Sequence, residues 1–322
     1  MKWLRGLVVG CLLGSVNVAW ATSGLAWQWG DEEERRYFME AELLLPEIIV
    51  LSQAENLNVR VSEITMTLVT TCRLVPPPGK KLFELSCSVD DIRLVGAPVR
   101  GDAGRLIPIL DQLDASMLQA EIQVAITKDG RVRTVSLEGL EDRLRRLRMI
   151  EETMRLLVQR GFAGLDLRMP KKGEDEGRAW EDSSSLSLGF VTMMGTYGKG
   201  LVYHGVVATE GDVVRIESQG GGVMMPGTDQ TVVTPDGSSV SRSRDSYEMV
   251  HRGVTRFDVA KGALVERTYQ VIGLPTSSSQ ISEGAAGVSY VQNLRVLALD
   301  SEQDAPRLPG NGELAPGGTR GR

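Results

Sequence analysis

The chain has 322 residues, enough for one large domain or two ordinary ones. Its 36 Lys and Arg stand against 42 Asp and Glu, a formal charge of −6, and aromatic residues make up only 5%. An acidic chain without a basic, aromatic-rich patch repels a phosphate backbone, so no nucleic acid is expected as a partner.

The first element reads as an export signal. Met1-Lys2-Trp3-Leu4-Arg5-Gly6 carries two positive charges, Leu7 to Leu13 is apolar, and Ala19-Trp20-Ala21 sets small residues on either side of a bulky one. Basic, apolar and small-residue regions in that order predict a signal peptide over 1–21, cleaved between Ala21 and Thr22. Val8-Val9-Gly10-Cys11 offers a competing site, at which Cys11 would be lipidated and tether the chain to a membrane. Leu7 to Gly10 is too short for an apolar region of about 7 to 15 residues, so cleavage after Ala21 is preferred. Losing Lys2 and Arg5 leaves 34 basic against 42 acidic residues, or −8. The expected location is periplasmic or extracellular. No transmembrane helix is expected in the mature chain, because its most apolar stretch, Leu43 to Leu51, is short and broken by Pro46 and Glu47.

From Tyr37 to Leu137 the pattern is mostly that of strands. Ile64, Met66, Leu68, Cys72 and Leu74 share one face, and after Pro76-Pro77-Pro78-Gly79 a second alternation runs through Phe83, Leu85, Cys87 and Val89. A symmetric hairpin then sets Cys72 opposite Cys87, Leu74 opposite Leu85 and Thr70 opposite Val89. Opposed β-carbons lie about 4.5 to 5.5 Å apart, close to what a disulfide needs, and an oxidising compartment favours the bond. A Cys72–Cys87 disulfide is predicted. Residues 107–117 read as a short helix or a looped connection. Gln119 to Thr127 forms the next strand, and Asp129-Gly130 signals a type I′ turn that returns Val135 beside Val124.

Glu138 to Gln159 is the one long helical pattern. Leu140, Leu144, Leu147, Ile150, Met154 and Leu157 form a stripe at threes and fours, with Gly161 as its stop. A charged, Gly-rich stretch at 170–178 follows, and after it the chain is strand and turn. The expected strands are Leu186–Phe190, Leu201–Ala208, Asp212–Ser218, Gln230–Thr234, Tyr247–His251, Thr255–Asp258, Leu264–Ile272 and Val288–Leu299. Pairing across Glu210-Gly211 would put Val207 beside Val214. The organisation is therefore a leader over 1–21, a β-rich half with one long helix over 22–169, and an all-β half over 170–300. The halves are read either as two domains or as one continuous domain. The Pro- and Gly-rich tail, 301–322, lacks the apolar residues for a core.

The fold class expected is mainly β: long, twisted antiparallel sheets, as a half-barrel or a sandwich, with the amphipathic helix packed on a sheet. In its order of elements, across about residues 35 to 300, the chain resembles the half-barrels of periplasmic lipid and lipoprotein carriers. That resemblance implies a curved sheet and a helix enclosing an apolar cavity. It transfers no site residues.

No motif for catalysis, metal or cofactor binding stands out, so no catalytic, metal-ligating or cofactor-binding residue is assigned. There are two histidines, His204 and His251, each in a strand pattern, and no His-x-x-x-His or Cys-x-x-Cys pairing. No Gly-x-Ser-x-Gly elbow marks a nucleophile. Gly220-Gly221-Gly222 lacks the Lys-Ser/Thr of a phosphate cradle and reads as a bulge or hairpin loop. The leading functional expectation is an envelope protein, not an enzyme, that binds an apolar, lipid-like molecule or a protein partner. The alternatives are a structural or assembly component of an envelope complex, and a hydrolase whose site gathers dispersed residues around a histidine.

Overall fold

Alternating burial builds nearly everything in this protein. The computed structural model describes residues 25–30, 33–50, 60–75, 81–98, 117–118, 120–137, 158–170, 179–183, 197–225, 230–233, 239–242, 247–275, 290–300 and 306. The export signal, Ala21, Thr22, Cys11, Leu186–Phe190 and the helical stripe from Leu140 to Leu157 lie outside these residues.

The strands are β1 (Glu34–Val50), β2 (Arg60–Leu74), β3 (Leu82–Pro98), β4 (Glu121–Thr127), β5 (Val132–Ser136), β6 (Ala179–Asp182) and β7 (Tyr197–Glu210). Then come β8 (Val213–Met225), β9 (Gln230–Val233), β10 (Ser239–Arg242), β11 (Tyr247–Asp258), β12 (Ala263–Pro275) and β13 (Tyr290–Leu299). Eleven of them form one antiparallel sheet in the order β5-β4-β3-β2-β1-β13-β12-β11-β8-β7-β6, and β9 and β10 make a separate hairpin. The last strand returns to pair with the first, Met39 facing Val296, so strands from both halves of the chain share one sheet.

The hairpin of β2 and β3 has the predicted register: Cys72 faces Cys87, Leu74 faces Leu85 and Thr70 faces Val89. Cys72 and Cys87 are disulfide-bonded, with α-carbons 4.0 Å apart. Beyond Thr70 the register shifts, with Val69 facing Asp91 and Asp90 left as the extra residue of a bulge. Val124 faces Val135 as expected. The turn between them is a three-residue loop, closed by Thr127 N–H donating to Arg131 O at 2.8 Å, with Gly130 at φ 89°. It is not the two-residue type I′ turn; a register shift past Ala125 absorbs the extra residue.

Four further expectations are corrected. Val207 does not meet Val214: Gly211, at φ 61°, turns the chain one residue later, so Thr209 faces Val214 and Val207 bulges outward. Gly161 does not stop a helix. The helical turn runs over 158–163, and a β-carbon on Gly161 would come within 2.9 Å of Met66 Cε, so this glycine lets the turn lie directly on β2. Gly220 to Gly222 are neither a loop nor a bulge but lie inside β8, in continuous register with β7 and β11. Tyr247–His251 and Thr255–Asp258 are likewise one strand, β11, because Gly253 stays in register with Ser218 and Tyr269.

One face of the sheet carries the main core. Met39, Met66, Leu68, Leu94, Ile122, Val124 and Val296 are among its buried side chains, joined by Val158, Phe162 and Leu165 from the helical turn and its exit. The sheet remains open, yet it curls far enough for its two edges to meet. Leu167 N–H donates to Gly130 O and Met169 N–H to Asp129 O, both in the turn before β5. On the other side Trp180 Nε1 donates to Arg168 O at 2.8 Å, and Arg168 Nη1 donates to Glu181 O, both on β6. Arg131 completes the bridge with an ion pair to Asp182 at 2.5 Å. Residues 164–169 are thus a strap across the gap. Residues 25–30 close the same end: Trp27 Nε1 donates to Leu167 O at 3.1 Å and its ring meets Phe257 edge-on. Among the described residues no helix is long and apolar enough to cross a membrane.

A buried polar cluster as candidate functional site

Inward-facing residues differ between the two arms of the sheet. Over β1 to β5 they are almost all apolar. Over β6 to β13 the registers place polar groups in adjacent rows. One row reads Val202, Gly220, His251, Val271 and Gln292. The next is His204, Ser218, Gly253, Tyr269 and Leu294, and the third is Val206, Ile216, Thr255, Arg267 and Val296.

Each polar side chain here is held by packing. The His251 ring stacks on Tyr269 with centroids 5.2 Å apart and planes 5° from parallel. Gly253 makes that possible, since a β-carbon there would lie 2.9 Å from Tyr269 Cβ and 3.6 Å from His251 Nε2. His204 stacks on Trp180 at 5.2 Å and shares a 2.8 Å hydrogen bond between its Nδ1 and Ser218 Oγ. Arg267 lies over the Tyr269 ring at 4.8 Å and donates from Nη1 to Gly164 O at 3.1 Å and Asp166 O at 2.6 Å. The Asp166 carboxylate instead accepts from Val132 N–H at 3.1 Å.

Burial governs the charge states. It pushes the Asp166 carboxyl up to about 7, against the pull of Arg267. It pushes His204 down to about 4 and His251 down to about 3, with Arg267 adding to both. Both imidazoles are therefore neutral at ordinary pH.

Several hydrogen-bonding atoms in this cluster are buried with no protein partner: both ring nitrogens of His251, Nε2 of His204 and Oγ1 of Thr255. His251 and His204 are each 2% exposed and Thr255 is 1% exposed. An orphaned buried group costs about 1 to 3 kcal/mol, so native interiors leave few of them unless water or a ligand completes the set.

His204 and Ser218 pair as a base and nucleophile would, but a hydrolytic triad also needs a carboxylate on the second ring nitrogen. Among the described residues none bonds His204 Nε2. Nor do three or more His, Cys, Asp or Glu side chains gather there as a metal site would require.

Neither of the two histidines was assigned a role from sequence, and Asp166, Thr255 and Arg267 were not singled out. Strand parity carried the signal: Arg267 shares parity with Tyr269 and Val271, and Thr255 with His251 and Phe257. A charged residue on a core-facing parity is the mark of a paired or functional group. No protein-family model matches this chain, and no curated protein matches it.

Proposed function

We propose that this chain is an exported binding protein, not an enzyme, whose curled sheet holds an apolar, lipid-like molecule against its inner face. The observation that carries the reading is the division of that face. One arm is almost entirely apolar, and the other carries the buried, unpaired hydrogen-bonding atoms of His204, His251 and Thr255. An amphiphile matches both. Two of the apolar side chains on the first arm are methionines, Met39 and Met66, whose flexible thioethers adapt to guests of varied shape. Export is supported by the leader pattern over 1–21 and by the Cys72–Cys87 disulfide, a bond that persists in oxidising compartments.

The test is a fluorescence titration of delipidated mature protein with N-phenyl-1-naphthylamine, which brightens on leaving water. Saturable brightening with one site per chain supports the proposal. A response that stays linear and no larger than that of the urea-unfolded chain overturns it.

A further inference from the structure

One apolar cluster lies on the face of the sheet opposite the main core. On β1, Tyr37, Met39 and Ala41 belong to the main core, so Phe38 between them points outward. It groups with Val69 of β2 and with Leu297 and Leu299 of β13. Phe38 is 3% exposed, Val69 0% and Leu299 7%. On a solvated sheet face, neighbouring side chains stand beside a residue and not above it, so its outer surface stays open to water. Outward residues buried this deeply have a cover.

That cover belongs to the same chain, because the burial holds for one chain by itself. Among the described residues, every apolar side chain of the cluster comes from the sheet. Two long connections, 99–116 and 138–157, lead into Met117 and Val158, which lie in the main core on the inner face. The C-terminal segment is placed differently. β13 ends at Leu299, itself a member of the cluster, and the chain continues from there to Arg322. Pro306 is half-buried, as a proline free in water would not be. The chain from Leu299 to Pro306 can span up to about 25 Å. Phe38 is the direct partner of Leu297 on the next strand, only about 5 Å away. The first apolar stretch beyond the sheet is Ala305-Pro306-Arg307-Leu308-Pro309. Its prolines favour an extended chain that loses little entropy on docking.

We infer that the patch formed by Phe38, Val69, Leu297 and Leu299 is a docking surface whose occupant is the chain's own C-terminal segment, residues 305–309, folded back over the outer face. Leu308 and the two proline rings supply the apolar contact. The inference is independent of the ligand reading above, since the patch and the main core lie on opposite faces of the sheet. Left bare, the patch would be an exposed apolar surface of the kind that draws other proteins. The tail closes it within one chain.

Fluorine NMR of the mature, full-length protein labelled with para-fluorophenylalanine tests this. The chain has 5 phenylalanines, and the signal lost in Phe38→Leu identifies Phe38. A soluble gadolinium chelate relaxes only nuclei that solvent can reach. In the unaltered protein the Phe38 signal should be relaxed as little as that of Phe257, which is 0% exposed in the main core. Pro306→Asp combined with Leu308→Asp should raise the relaxation of Phe38 several-fold and leave Phe257 unchanged. A Phe38 signal that stays shielded in the double variant shows that another segment covers the patch and overturns the inference. A Phe38 signal open to the chelate in the unaltered protein also overturns it. Trypsin gives a second readout that needs no variant. Cleavage after Arg307 should be several-fold slower in the folded protein than in a synthetic peptide of residues 301–312, and equal rates would contradict the docking.

Discussion

Acidification should destabilise this protein in a way that assigns protons to three named side chains. His204 and His251 are held neutral in the fold, with pKa values pushed down to about 4 and about 3. In the unfolded chain both titrate near about 6.5. Between about pH 4.5 and 6, unfolding therefore takes up two protons at these sites. Asp166 acts in the opposite sense: burial raises it to about 7 in the fold, whereas an unfolded aspartate titrates near about 3.9. Unfolding in the same window releases one proton there. The net uptake of one proton means stability falls by about 1.4 kcal/mol for each pH unit lost. His251→Phe removes one uptake and should flatten the slope by about 1.4 kcal/mol per unit. Asp166→Asn keeps the acceptor for Val132 N–H, removes the release, and should steepen the slope by about the same amount. Other carboxylates add a background common to all three chains, so the differences carry the test. Urea unfolding followed by far-ultraviolet circular dichroism at pH 4.5, 5.25 and 6 measures them. Three parallel slopes would refute the assignment of neutral, buried imidazoles and a protonated Asp166.

Other outcomes follow from the same geometry. The disulfide closes a loop with a sequence separation of 15, so Cys72→Ala with Cys87→Ala should cost about 3 kcal/mol, and native unreduced protein should resist thiol labelling. Gly130→Ala would force a side chain at φ 89° into Leu167 O and Trp27, each 2.1 Å from the new β-carbon. It should cost about 2 kcal/mol or more and loosen the strap, seen as faster amide exchange at Leu167 and Met169. Leu68→Ala, at a fully buried site beneath the helical turn, should cost about 2 to 5 kcal/mol in urea unfolding. His251→Phe at pH 7.5 should be neutral or mildly stabilising, because it removes two unpaired buried polar atoms and keeps the ring stacked on Tyr269.

The parts of the fold legible in the sequence were those set by period-two burial. The Cys72–Cys87 register could be read because two independent alternations on either side of one turn had to agree, and one slipped residue would have turned both faces over. Turn detail was less legible. Gly211 and Gly130 each adopt positive φ, but sequence does not say which residue of a Glu-Gly or Asp-Gly pair opens the turn, so Val207 was misplaced by one bulge. Gly161 and Gly220 to Gly222 looked like punctuation because glycine ends helices and fills loops. Here Gly161 lies against Met66, Gly220 beside Val202 and Gly221 against the Met249 carbonyl. A curved sheet was among the expectations, but the strap that joins its edges was not legible, since it depends on bonds from residues 164–169 to turns and strands far away in sequence. The polar cluster was hidden for a related reason. His204, His251, Thr255 and Arg267 come from three different strands, and only the registers bring them onto one face.

The most direct test of the binding reading is lipid analysis of the mature protein purified from its own cells. Organic extraction and mass spectrometry would count moles of each lipid per mole of protein. The account predicts about one mole of an apolar, lipid-like molecule per chain. Protein that carries no lipid, and that takes up none when offered monoolein after delipidation, would contradict it.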